Sequence, residues 1–219
     1  MDSLATKTTT DMLPNAKWYI VLIATIICIA INFLFIILLY LLHIPLWLDT
    51  VGTVAVTFLF GWIPGLVCAF STTLLDSIIG NYFLQLPMLY VLCSFSAVLI
   101  SYLFRKLIFN TDLTIARISY LLILAILMCT IISILGGLID SFCIAFSSYK
   151  SDSPVAADYF KPNFIKLGLP MLGTNILARF PVNIADRLLT SFIAYGLAVC
   201  YKKIEKKAYA NKHNKEISF

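Results

Sequence analysis

Apolar residues run in long blocks along the chain, and short clusters of polar residues, glycine and proline separate the blocks. The first block, 18–42, is long enough to cross a bilayer as a helix, which takes roughly 20 residues. Its length and late start argue against a cleaved signal peptide. His43-Ile44-Pro45 ends it, because proline disfavours the helical conformation in the residue before it. The next apolar stretch, 46–80, is broken by Gly61-Trp62-Ile63-Pro64-Gly65 and reads as two short helices, 45–61 and 64–80. A single helix over that stretch would overshoot the bilayer at a rise of about 1.5 Å per residue. Further spans are predicted at 85–104, 119–146 and 181–201, with Pro45 and Pro181 at first-turn positions. Polar connections lie at 81–83, at 105–118 and, longest, at 147–180.

This pattern predicts an all-α integral membrane protein, a compact bundle of six transmembrane helices. A polar tail, 1–17, precedes the membrane domain 18–202, and a basic tail, 203–219, follows it. Composition agrees: the chain is 61% hydrophobic and 12% charged, against about 25% charged in soluble domains, and its mean hydropathy is +0.94. No soluble domain large enough for chemistry of its own fits between the spans.

The formal charge of +5 raises nucleic acid as a partner, but the positions of the charges favour a topological role. Lys202, Lys203, Lys206, Lys207, Lys212 and Lys215 follow the last span, where basic residues face the cytoplasm and its anionic lipid. Six spans place both termini on one side. Lys7, Lys17, Arg105, Lys106 and Arg117 join the tail lysines there, leaving Lys150, Lys161, Lys166, Arg179 and Arg187 opposite. Both termini are therefore expected in the cytoplasm.

Ionisable groups within a membrane are costly and mark candidate sites. Asp49, Asp76, Asp140 and Asp186 all fall at the outward ends of their spans under this topology, although that topology was built from basic residues alone. Thr50 and Thr53 accompany Asp49, and Asn81, Tyr82 and Gln85 follow Asp76. Asn183 and Arg187, four apart, share a helix face, with Arg179 just before them. An outward pocket with hydrogen-bonding groups and aromatic walls fits this grouping, and Trp47 lies close enough to be a stacking wall. The same acids could instead cap helix N-termini, as Asp49 or Asp186, or pair with Arg187, as Asp186 or Asp140. His43 has no histidine partner at metal-binding spacing and reads as an interfacial residue. The six cysteines sit singly in apolar runs and read as packing residues. HExxH, GxSxG, Walker and dinucleotide-binding motifs are missing, so neither enzyme activity nor a cofactor or metal is expected. Energy for pumping would come from ion gradients or a partner.

The string LDTVGTVAVTFLFGWIPG at 48–65 resembles the substrate-binding S component of energy-coupling factor (ECF) vitamin transporters. The shared features are an Asp, a Gly-Thr, an apolar helix and a Gly-aromatic-x-x-Gly turn, followed by a helix rich in small residues. Helix count, length, the basic C-terminus and the acid–base pair within 181–187 extend the resemblance over most of the chain as architecture. The resemblance implies a six-helix protein of the bacterial cytoplasmic membrane that captures a vitamin or related micronutrient from outside. It also implies partners, a transmembrane T subunit and two cytoplasmic ATPases. The family's sites lie in the outer half of the bundle. Carried onto this chain they imply Trp47, Asp49, Thr53, Asp76, Asn81, Tyr82, Gln85, Asp140, Asn183 and Arg187 as substrate-binding residues. Small residues of the first helix dock the T subunit in the family; the matching stretch here offers Ala24, Cys28 and Asn32, plus Ala30, instead of the usual pair of alanines spaced four apart. An anionic vitamin such as pantothenate and a polar one such as a cobalamin precursor both fit an arginine among carboxylates. The alternative is a sensory or interaction module resembling the membrane input domains of bacterial histidine kinases, which would be expected to continue into a signalling domain beyond the last span.

Overall fold

The computed structural model describes residues 17–80, 85–146 and 156–217, which contain helices and turns and no strand. Five helices are long and apolar enough to cross a membrane. They are α1 (Trp18–Leu42), α3 (Trp62–Ile79), α4 (Val91–Asn110, entered through a 3₁₀ turn at Leu86–Tyr90), α5 (Thr114–Phe146) and α7 (Met171–Ile217). Large side chains such as Ile23, Ile26, Leu34, Leu103 and Ile126 face outward on them, as lipid contact requires. The chain is an all-α, multi-pass membrane bundle.

The segment expected as a span at 45–61 is different. Its helix, α2, covers only Val51–Phe60, ten residues, or about 15 Å of rise, half the hydrocarbon thickness. Residues 43–50 approach it as irregular backbone, with His43 and Leu48 at positive φ. Such backbone is tolerated at membrane depth only where protein encloses it or a cavity adjoins it. Here every residue from Val51 to Leu59 is buried, among α1, α3, α4 and α7. Gly61, at φ 99°, then turns the chain into α3, as the sequence pattern anticipates.

The last helix also departs from expectation. It starts at Met171, ten residues before the expected start at Pro181, and Pro181 lies inside it. Proline leaves one helical carbonyl without its donor, a loss that flanking helices can absorb in a bundle. Arg179, expected in a loop, is thereby carried into the helix, and Asp186 stands well inside it. A short α6 (Lys161–Lys166) and a 3₁₀ turn (Ala156–Tyr159) pack on α7.

Close packing follows from small residues, the usual device where lipid supplies no hydrophobic drive between helices. A Cβ on Gly52 would lie 2.1 Å from the backbone oxygen of Cys28, so α1 and α2 touch backbone to backbone. One turn further on, the fully buried Asn32 ties three helices together. Its amide nitrogen donates to the hydroxyls of Thr53 and Thr72, both at 3.0 Å, and its oxygen accepts the Gly52 N–H at 2.7 Å. At the far end of α2, Arg105 donates to the carbonyls of Phe58 (2.8 Å) and Leu59 (2.6 Å). These carbonyls have no helical partner at a C-terminus.

Replacing Asn32 with Leu strands the Gly52 amide, at a cost of about 1 to 3 kcal/mol. Detergent-titrated unfolding is expected to show a loss of that order. Gly52→Ala is expected to destabilise as well, because it must part α1 from α2.

Candidate functional site

A cavity of about 580 Å³ opens among α1, the irregular segment before α2, α3, α4, α5 and α7, lined by apolar, aromatic and charged side chains. Small-molecule sites are commonly of this size. Helix direction places it within the bundle. From Tyr90 on the cavity wall to Arg105, α4 advances 15 residues, and α7 does the same from Arg187 to Lys202, a rise of about 22 Å in each case. The cavity therefore lies at the end opposite Arg105 and Lys202, where Lys202 stacks over Phe109 at 3.7 Å.

One wall is built around Arg179. Its Nε donates to Asp140 Oδ2 and one terminal nitrogen to Asp140 Oδ1, both at 2.8 Å, the side-on geometry that makes arginine–carboxylate pairs strong. The same nitrogen donates to the Tyr90 hydroxyl at 2.9 Å, and Tyr90 in turn donates to Asp140. The guanidinium lies over the rings of Trp47 (5.3 Å) and Tyr90 (5.0 Å), a cation–π arrangement. Gly136 makes room, since a Cβ there would meet the Arg179 guanidinium at 2.6 Å. Lys161 reaches in from α6, 2.7 Å from Asp158 and 3.9 Å from Asp140.

The second wall is built around Arg187, which is 3% exposed. It pairs with the fully buried Asp186, donates to the Thr50 hydroxyl, and stands 3.6 Å from Asp49. Asp186 also accepts the Leu48 N–H at 2.7 Å, holding the irregular 43–50 segment against α7. Between the two arginines, Asn183 donates to Ser133 at 2.8 Å.

Of the residues expected to bind substrate, Trp47, Asp49, Asp76, Asp140, Asn183 and Arg187 line this cavity. Thr53 does not; it is buried in the Asn32 network. Gln85 is exposed, just before the 3₁₀ turn, and is absent from the lining. Asn81 and Tyr82 lie outside the described residues. Two expectations about pairing need correction. Asp186 caps no helix start, because α7 begins 15 residues earlier; it caps the loop amide of Leu48 instead. Asp140 pairs with Arg179 rather than with Arg187. On α1, Cys28 is buried against Gly52, Ala24 is half-buried and Ala30 is exposed.

Thr50, Thr72, Thr73, Tyr90, Ser94, Asp158, Lys161 and Arg179 also line the cavity; sequence reasoning grouped Thr50 and Arg179 with the pocket without naming them as binding residues, and did not single out the others. For Arg179 a signal existed. Asn175, Arg179, Asn183 and Arg187 recur every four residues, a stripe on one helix face that becomes visible once the helix is carried through Pro181. Its members meet Ser141, Asp140, Ser133 and Thr50 in turn.

Breaking a buried ion pair by removing one partner costs about 3 to 5 kcal/mol, whereas replacing both is often neutral. Asp140→Asn and Arg179→Met are each expected to lower the unfolding temperature in detergent, and the double variant to recover most of the loss. Comparison of the chain with known protein families, characterised proteins and solved structures returns no match.

Proposed function

We propose that this chain is the substrate-capture (S) subunit of an ECF-type importer in a bacterial cytoplasmic membrane, holding a vitamin or related micronutrient in the cavity described above. The observation that carries the reading is the placement of that cavity. It occupies one end of the bundle, while Arg105, Lys106, Arg117 and the lysines after 201 belong to the other. Basic residues mark the cytoplasmic side of membrane proteins, so the cavity faces outward and both termini lie inside. The resemblance of 48–65 to ECF S components supports the same reading, since this segment builds one cavity wall through Asp49 and Thr50.

In this reading the chain binds and does not energise. A T subunit and two cytoplasmic ATPases supply the work, with the exposed Ala30 and the half-buried Ala24 of α1 as docking positions. Cys28 contributes to packing inside the bundle.

Coexpression with an ECF T subunit and its ATPases tests the proposal. The expected result is a stable four-component complex that supports ATP-dependent uptake in proteoliposomes. A chain that purifies alone and mediates no ATP-dependent uptake overturns it and favours a sensory or interaction role.

A further inference from the structure

We propose that residues 156–168 form a hinged lid over the cavity, latched to α5 by Lys161. Such a lid governs entry whichever ligand the cavity holds, and in a sensory protein as much as in a transport subunit.

The connection between α5 and α7 emerges at the cavity end of the bundle, since α5 finishes at Phe146 and α7 starts at Met171, just beyond the lining residues Asp140 and Arg179. Within it, the 3₁₀ turn and α6 pack against each other and against α7, and approach no other described helix. α6 has no buried residue, and Tyr159, Ile165 and Leu167 are each more than half exposed. Segments held by so few apolar contacts open at the lowest cost. Gly168 ends α6 at φ 76°, with open space where a side chain would stand. Glycine enters that region without strain, and residues at element ends are where hinges absorb their rotation.

Against this one-sided attachment stands Lys161. From the first turn of α6 its ammonium reaches to 2.7 Å from Asp158, on the lid itself, and to 3.9 Å from Asp140, on α5. All three residues line the cavity. The Lys161–Asp140 link therefore ties the lid to a helix that its backbone does not touch. Releasing it strands no charge, because Asp140 keeps Arg179 at 2.8 Å and Lys161 keeps Asp158. A partly exposed ion pair of this kind shifts an equilibrium by a factor of only about five. The latch is thus strong enough to bias the lid and weak enough to let go.

The cavity carries its own reporters. Cys93 and Cys143 line it, whereas the buried Cys28 on α1 and Cys68 on α3 lie away from it. The test is N-ethylmaleimide labelling of the full chain in detergent, followed at each cysteine by peptide mass spectrometry. Lys161→Met is expected to speed labelling of Cys93 and Cys143 about five-fold, and Lys161→Arg to keep the rate of the unaltered chain. Loss of a neighbouring cation disfavours a thiolate, so faster labelling reports access and not a more reactive thiol. In the unaltered chain, salt at about 1 M, where the screening length is about 3 Å, should speed the same two cysteines, and it should add little in Lys161→Met. Cys28 and Cys68 should stay unlabelled throughout. If they react in Lys161→Met, the bundle itself has loosened and the salt response of the unaltered chain decides. Cavity cysteines that label no faster in Lys161→Met with the bundle intact, or that ignore salt in the unaltered chain, overturn the proposal.

Discussion

Asp186 is a carboxylate with no exposed surface, held between the guanidinium of Arg187 and the backbone amide of Leu48. In a hydrocarbon setting neither the charge nor the amide could stay unpaired, since each unsatisfied group costs several kcal/mol. The contact joins positions 138 residues apart. It allows an irregular segment to replace what would otherwise be the outer half of a span. α2 is short because of it, and the space above α2 becomes the cavity.

The same constraint organises the rest of the bundle. Asn32 answers the Gly52 amide and two threonine hydroxyls at the first turn of α2 and in α3. Arg105 answers the carbonyls at the other end of α2. A helix of ten residues, buried on all sides, is thus fastened at both ends by side chains from neighbours. Small residues at Gly52 and Gly137 bring helix backbones close together, and Gly136 leaves room for the Arg179 guanidinium.

The cavity is consequently a product of the locks and not simply a gap between helices. Its arginines are stationed by carboxylates, and its aromatic walls, Trp47 and Tyr90, are held by the Arg179 guanidinium. Preorganisation of this kind lowers the cost of ordering side chains when a ligand arrives.

Much of this protein was determined by the sequence alone. The long apolar blocks dictate membrane helices, since nothing else can satisfy so much backbone away from water. The positions of Asp49, Asp76, Asp140, Asn183 and Arg187 near span ends were enough to gather them at one mouth. Gly61 announced its own turn. What only the tertiary structure decided were lengths and partners. Pro181 reads locally as a helix start, but packing against α5 carries the helix through it, so Arg179 and Asp140 meet. The 45–61 block is apolar enough to suggest a span, yet burial on every side lets it end at ten residues. Thr53 looked like a ligand group beside Asp49 and instead turns toward Asn32. Hydrophobicity along a chain reports which segments leave water. It does not report which buried charge will find which partner, because that depends on side chains brought together from distant positions.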